Sequence, residues 1–119
     1  MKQGNLIQIK SYEFAIRIVK LYRYLIDKKN EFVLSKQILR SGTSIGANVE
    51  EALGGQSRLD FIAKLAIAYK EARETHYWIR ILRDTNYITI KQANSILKDI
   101  DEIIKIIAKI QITAKKTNS

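Results

Sequence analysis

The run "RSGTSIGANVEEALGG", Arg40 to Gly55, decides the fold. Its glycines and hydroxyls resemble a loop that cradles a phosphate. Its Ile45, Val49 and Leu53 recur at helical spacing instead. A phosphate-binding loop needs a lysine followed by a hydroxyl residue, and a buried strand ahead of the glycines. Both are missing, and the apolar period passes straight through. Ser41, Gly42, Ser44 and Ala47 therefore read as a thin strip on a helix, where a neighbouring axis comes close and a bulky side chain fills the space. Gly42 and Gly46 each cost about 1 kcal/mol of helix propensity relative to alanine. Close packing or a local bend must offset that.

Outward from this run the periodicity stays helical, and no proline interrupts it. A first helix is expected from Ser11 to about Lys28, capped by Ser11, with Phe14, Ile18, Leu21, Tyr22 and Leu25 on one face. A second runs from near Ser35 to Leu53. Gly54 and Gly55 are expected to stop it by accepting a left-handed conformation. A third runs from Ser57 to about Thr85, opened by the capping-box-like "SRLD" and ended at Asn86. A fourth starts at Thr89, where "TIKQ" has capping-box form, and continues to about Thr113 with an isoleucine stripe. Short connections between long helices predict an all-α, antiparallel up-down-up-down four-helix bundle. It would form a single domain over residues 1–119, with residues 1–10 and 114–119 as frayed ends.

Composition narrows the chemistry. The chain has 119 residues, no cysteine and one histidine. Disulfides, thiolate zinc sites and multi-histidine clusters are thereby excluded. A carboxylate di-metal site in a bundle needs Glu-x-x-His pairs on two helices. The residue three before His76 is Arg73, so the pattern fails, and no metal or cofactor is expected. His76 also lacks a serine and a carboxylate in any recognisable catalytic motif. Lysines interrupt every long apolar run, so no membrane span is expected. No signal-peptide pattern opens the chain, and a cytoplasmic location is the expectation. The formal net charge of +9 favours polyanionic partners.

The third helix carries more than one core stripe. Beside Phe61, Leu65, Ala68, Ala72, Ile79 and Leu82 lies a second apolar set, Ala63, Ile67, Trp78 and Ile81, with Tyr77 nearby. One helix of a bundle cannot bury both faces within its own subunit. Ile67, Tyr77, Trp78 and Ile81 are therefore candidate self-association residues, with Trp78 as anchor. Tyr69, Arg73, Arg80 and Arg83 form another flank, joined by His76. Arg17, Lys20 and Arg23 form a basic strip on the first helix. These are candidate nucleic-acid contacts: the cations hold phosphates, and Tyr69 stacks on a base where exposed. A protein–protein adaptor whose charge serves an acidic partner remains the alternative.

The segments "LRSGTSIGANVEEA" and "FIAKLAIAYKEARETHYWIRIL" together resemble the family of 23S ribosomal RNA intervening-sequence proteins. Arg40, Ser44, Ile45, Asn48 and Glu51 match its first pattern, and Phe61, Leu65, Ala68, Glu71, Glu74 and Thr75 its second. Val49 is a conservative change, whereas Glu50 and Ala52 replace the usual alanine and glycine. The resemblance runs from about Tyr12 to about Ile107. It implies the same bundle and no assigned reaction. Through the related accessory proteins of diversity-generating retroelements, it also implies a homopentameric basic ring that binds RNA or DNA and a reverse transcriptase or another protein partner.

Overall fold

The computed structural model describes residues 2–118 as four helices: α1 (Lys2–Lys29), α2 (Leu34–Leu53), α3 (Arg58–Asp84) and α4 (Ile90–Asn118). No strand occurs among the described residues. The rod measures 48 × 22 × 19 Å. Each helix packs on two neighbours: α1 on α2 and α4, and α3 on α2 and α4. α1 does not meet α3, nor α2 meet α4. The helices thus occupy the corners of a square, as an antiparallel bundle with short connections requires.

The helix ends lie beyond the expected boundaries. α1 begins at Lys2, nine residues before Ser11. Ser11 is buried inside the helix, and its hydroxyl donates to the Gln8 carbonyl at 3.2 Å rather than capping anything. Tertiary packing outweighs the local capping signal here: Ile7, 1% exposed, extends the stripe of Phe14, Ile18, Leu21 and Leu25 by two turns. At the same end of the bundle, Ile110 and Ala114 are buried and carry α4 past Thr113 to Asn118. Met1 and Ser119, also expected to fray, lie outside the described residues.

The helix boundaries rest on side-chain caps. Ser57 accepts the Asp60 N–H at 3.0 Å. Thr89 and Gln92 form a reciprocal capping box: the Gln92 N–H donates to Thr89 Oγ1 at 3.0 Å and the Thr89 N–H to Gln92 Oε1 at 2.8 Å. α2 is held by Glu31, which sequence reasoning missed. Its buried carboxylate accepts from the backbone N–H groups of Val33 (3.2 Å), Leu34 (3.1 Å) and Ser35 (2.7 Å). Burial alone pushes this carboxyl up, but the three N–H donors outweigh it and hold Glu31 below the usual carboxylate range. The glycine stop is corrected too. Gly54 closes α2 at φ −90°, and no glycine has positive φ. The left-handed residues are Asn30 (φ 51°) and Asn86 (φ 67°), which end α1 and α3.

The opening run is a helix packed closely against α1. Gly42, Ile45, Gly46 and Val49 are buried. A Cβ on Gly42 would stand 2.8 Å from both Ile18 Cγ atoms, and one on Gly46 3.2 Å from the Ser11 carbonyl oxygen. The expected strip is corrected: Ser41 faces Thr75 on α3 and Ala47 is exposed, because the helical turn carries them to other sides of α2. Gly42 and Gly46 make the close approach to Ile18 and the α1 backbone. That contact offsets the poor helix propensity of the glycines.

Candidate nucleic-acid interface

The residues that carry the family resemblance seal the seam between α2 and α3. Arg40 Nη1 donates to Glu71 at 3.1 Å, and its second terminal nitrogen donates to Glu74. Glu74 also accepts from Trp78 Nε1 at 2.9 Å. Deeper in, Thr75 Oγ1 lies 2.9 Å from Ser41 Oγ and 2.8 Å from the Glu71 carbonyl oxygen. Asn48 turns back on its own helix, donating to the Ser44 carbonyl and hydroxyl at 2.9 and 3.0 Å. Ile45 is fully buried. Glu51 reaches Lys64 at 3.4 Å. These carboxylates are engaged with cations of the same chain. Among the described residues no three His, Asp or Glu side chains converge as a metal site.

The outer face of α3 carries the self-association candidates. Ile67 and Tyr77 are 41% and 49% exposed, with Leu59 and Ala63 exposed on the same face. Ile81 is half-buried. Trp78 is half-buried as well, packs on the bundle core, and meets the Tyr77 ring edge-on at 5.2 Å. A second outward stripe, which sequence reasoning missed, lies on α1: Ile9 and Tyr12 are 57% and 64% exposed, and Ile16 follows one turn on. Its three- and four-residue spacing was legible, but the deeper stripe of the same helix masked it.

The predicted basic flanks divide once their partners are seen. On α1, Arg17 bonds Asp99 at 2.7 Å, Ser95 Oγ at 2.7 Å and the Ser95 carbonyl at 3.2 Å, so its guanidinium staples α1 to α4. Lys20 and Arg23 are exposed. On α3, Tyr69 packs against the core and His76 pairs with Asp101 at 3.2 Å. Arg83 pairs with its neighbour Asp84 at 2.7 Å, which raises the guanidinium and lowers the carboxyl, each chiefly through their shared hydrogen bond. Arg73 and Arg80 are exposed, with Arg80 above the Tyr77 ring at 5.8 Å. The structure thus brings Arg73 and Arg80 together on one flank. Lys20 and Arg23 stand apart on α1.

The fourth helix presents a row that the isoleucine stripe had hidden. Lys91, Lys98, Lys105 and Lys109 are all exposed. The signal was the seven-residue repeat of lysine on the face opposite Ile96, Ile100, Ile103 and Ile107. Among the described residues no helix is long and apolar enough to cross a membrane.

Comparison with known proteins agrees with this geometry. A family model described as 23S rRNA-intervening sequence protein matches residues 4–109. A crystal structure of a protein of unknown function from the S23 ribosomal protein family of Bacteroides thetaiotaomicron superposes with a TM-score of 0.91 at 56% identity, covering 92% of this chain and 97% of that one. No curated protein matches.

Proposed function

The chain belongs to the 23S rRNA-intervening sequence protein family, and from that membership we propose that it is a non-enzymatic, self-associating basic scaffold that binds nucleic acid. The observation that carries this reading is how the charges are distributed. Asp84, Asp99, Glu51, Glu71, Glu74 and Glu102 lie in ion pairs with cations of the same chain, Asp101 stands 3.2 Å from His76 Nε2, and Glu31 is a buried cap. Half of the twelve acids are thus paired with lysine or arginine of the same chain, while Lys20, Arg23, Arg73 and Arg80 face outward. A surplus of +9 is left on the surface for a polyanion.

Self-association follows from the apolar stripes on α3 and α1, which a monomer leaves wet. By the resemblance to retroelement accessory proteins, the assembly is a homopentamer in the cytoplasm, and a reverse transcriptase or similar enzyme is its protein partner. A ring repeats each basic patch, so weak contacts sum through multivalency. The test is affinity for a structured RNA by fluorescence anisotropy at salt concentrations from about 50 to about 300 mM. Affinity is expected to fall steeply, and equal affinity at both ends would reject phosphate contact. Charge reversal at Arg73, Arg80 and Arg83 is expected to weaken that binding while helical content survives. Unaltered binding would move the contact off this flank.

A second reading, a protein–protein adaptor, is favoured by the exposed Ile9, Tyr12 and Ile16, a surface on which another protein's helix could lie. Recovery of a specific partner after nuclease treatment, together with no salt-dependent RNA binding, would establish it.

A further inference from the structure

Resting on the reading of a nucleic-acid-binding scaffold, we propose that the outward face of α4 is a contact surface for the phosphate backbone of double-stranded nucleic acid. Lys91, Lys98 and Lys105 repeat every seven residues, and Lys109 follows one turn later. Seven residues return to nearly the same side of a helix, so the four ammonium groups form one line with steps of about 10 Å per heptad. All four are exposed, and none joins an ion pair among the described residues.

The acids of the same helix turn sideways. Asp99 reaches Arg17 and Glu102 reaches Lys10 on α1, each at 2.7 Å, and Asp101 reaches His76 on α3 at 3.2 Å. Arg17 and Lys10 offset the charges of Asp99 and Glu102 across the α1 seam, and among the described residues no acid is paired with the lysines of the row. Arg73 and Arg80 stand three and four residues from His76, on the flank of α3 turned toward this helix, and widen the basic surface.

The chemistry of the row selects its partner. α4 has no aromatic residue, so it offers bases nothing to stack on, and stacking is what single strands use. Lysine ammonium groups are point charges suited to phosphate oxygens. A helix lying on a lipid surface alternates cations with exposed apolar side chains. Between Lys91 and Lys109 no exposed residue is apolar, and the exposed Ile90 and Ile112 stand only beyond the ends of the row. Four exposed lysines at regular spacing match the regularly charged edge of a duplex, with the half-exposed Asp101 and Glu102 between Lys98 and Lys105 held toward α3 and α1 by His76 and Lys10.

The test replaces Lys91, Lys98, Lys105 and Lys109 together by glutamine, which has nearly the same helix propensity. A control replaces Lys2, Lys29, Lys36 and Arg58 by glutamine, removing equal charge elsewhere. Binding of a short RNA duplex, a DNA duplex of the same sequence, one strand alone and phosphatidylserine vesicles is measured across a salt series, with circular dichroism as the check on folding. The row variant is expected to lose most duplex affinity, and the slope of log affinity against log salt to flatten by up to about 3.6, at roughly 0.9 per phosphate contact. The control should change it by less than about 1. Row-dependent binding of either duplex supports the proposal, and comparing the two identifies the helix form preferred. Equal loss in both variants, preference for the single strand, or row-dependent capture on vesicles without duplex binding would overturn it. Salt-dependent RNA binding that survives in the row variant defeats this placement alone. Wild-type protein that binds no nucleic acid at low salt defeats the scaffold reading itself.

Discussion

Gly42 shows how one absent methyl group sets a helix pair. Its missing Cβ would stand 2.8 Å from the branched Cγ atoms of Ile18, which is stiff at χ1 and cannot swing aside. Gly42→Ala gains about 1 kcal/mol of helix propensity but overpacks the contact by about 1–3 kcal/mol. Net destabilisation of about 1 kcal/mol is expected in urea unfolding. Combining it with Ile18→Ala should cost less than the sum of the two single changes, because the smaller side chain makes room. Glu31 gives a second residue-scale prediction. Its folded carboxyl is held low, so its contribution is present above the unfolded value near 4.3 and is lost as pH falls through the folded value. Glu31→Gln should therefore destabilise the protein by about 0.5–2 kcal/mol at neutral pH. The gap to wild type should close in strong acid, measured by urea unfolding at the two pH values.

At the scale of elements, α2 and α3 are joined by the residues that also carry the family likeness. One guanidinium, Arg40, holds Glu71 and Glu74, which would otherwise repel each other three residues apart. Arg40→Ala is expected to destabilise by only about 0.5–1 kcal/mol, since half of the arginine side chain is in water. The sharper readout is the emission of the lone tryptophan, Trp78, whose indole N–H shares Glu74 with Arg40. A red shift is expected on substitution, and unchanged emission would place Trp78 outside this seam. The seam also explains what could be read from sequence. Ile45, Val49, Leu65 and Ile79 recur at helical spacing, so the four helices and the close-packed nature of the opening run were legible. The caps of α3 and α4 were legible from local spacing alone. The start of α1 was not, because Ser11 looks like a cap and only the burial of Ile7 against other helices extends the turn. Arg17 looked like a free cation because its partner Asp99 is far along the chain and close only in three dimensions, whereas Arg83's partner Asp84 is its sequence neighbour and was open to reading.

Over the whole molecule, the basic surface and the two outward apolar stripes are separate features and can be tested separately. Ile67 and Tyr77 are exposed in the subunit, so Ile67→Glu with Tyr77→Glu should leave the bundle folded and reduce the mass seen by light scattering. Unchanged mass would remove the outer face of α3 from the assembly. Trp78→Ala should act in the same direction, with an added loss of stability because Trp78 also packs on the core. The square arrangement sets a rule for any such assembly. α1 and α3 stand on one diagonal, so their stripes point in opposite directions and are not copies of each other. A contact of one stripe with the other cannot be satisfied mutually by two molecules, as a two-fold pair would be. Each subunit added covers one exposed end and presents another. Growth of that kind halts only when the chain of subunits bites its own tail, and the small turn between successive bundles then decides how many are needed.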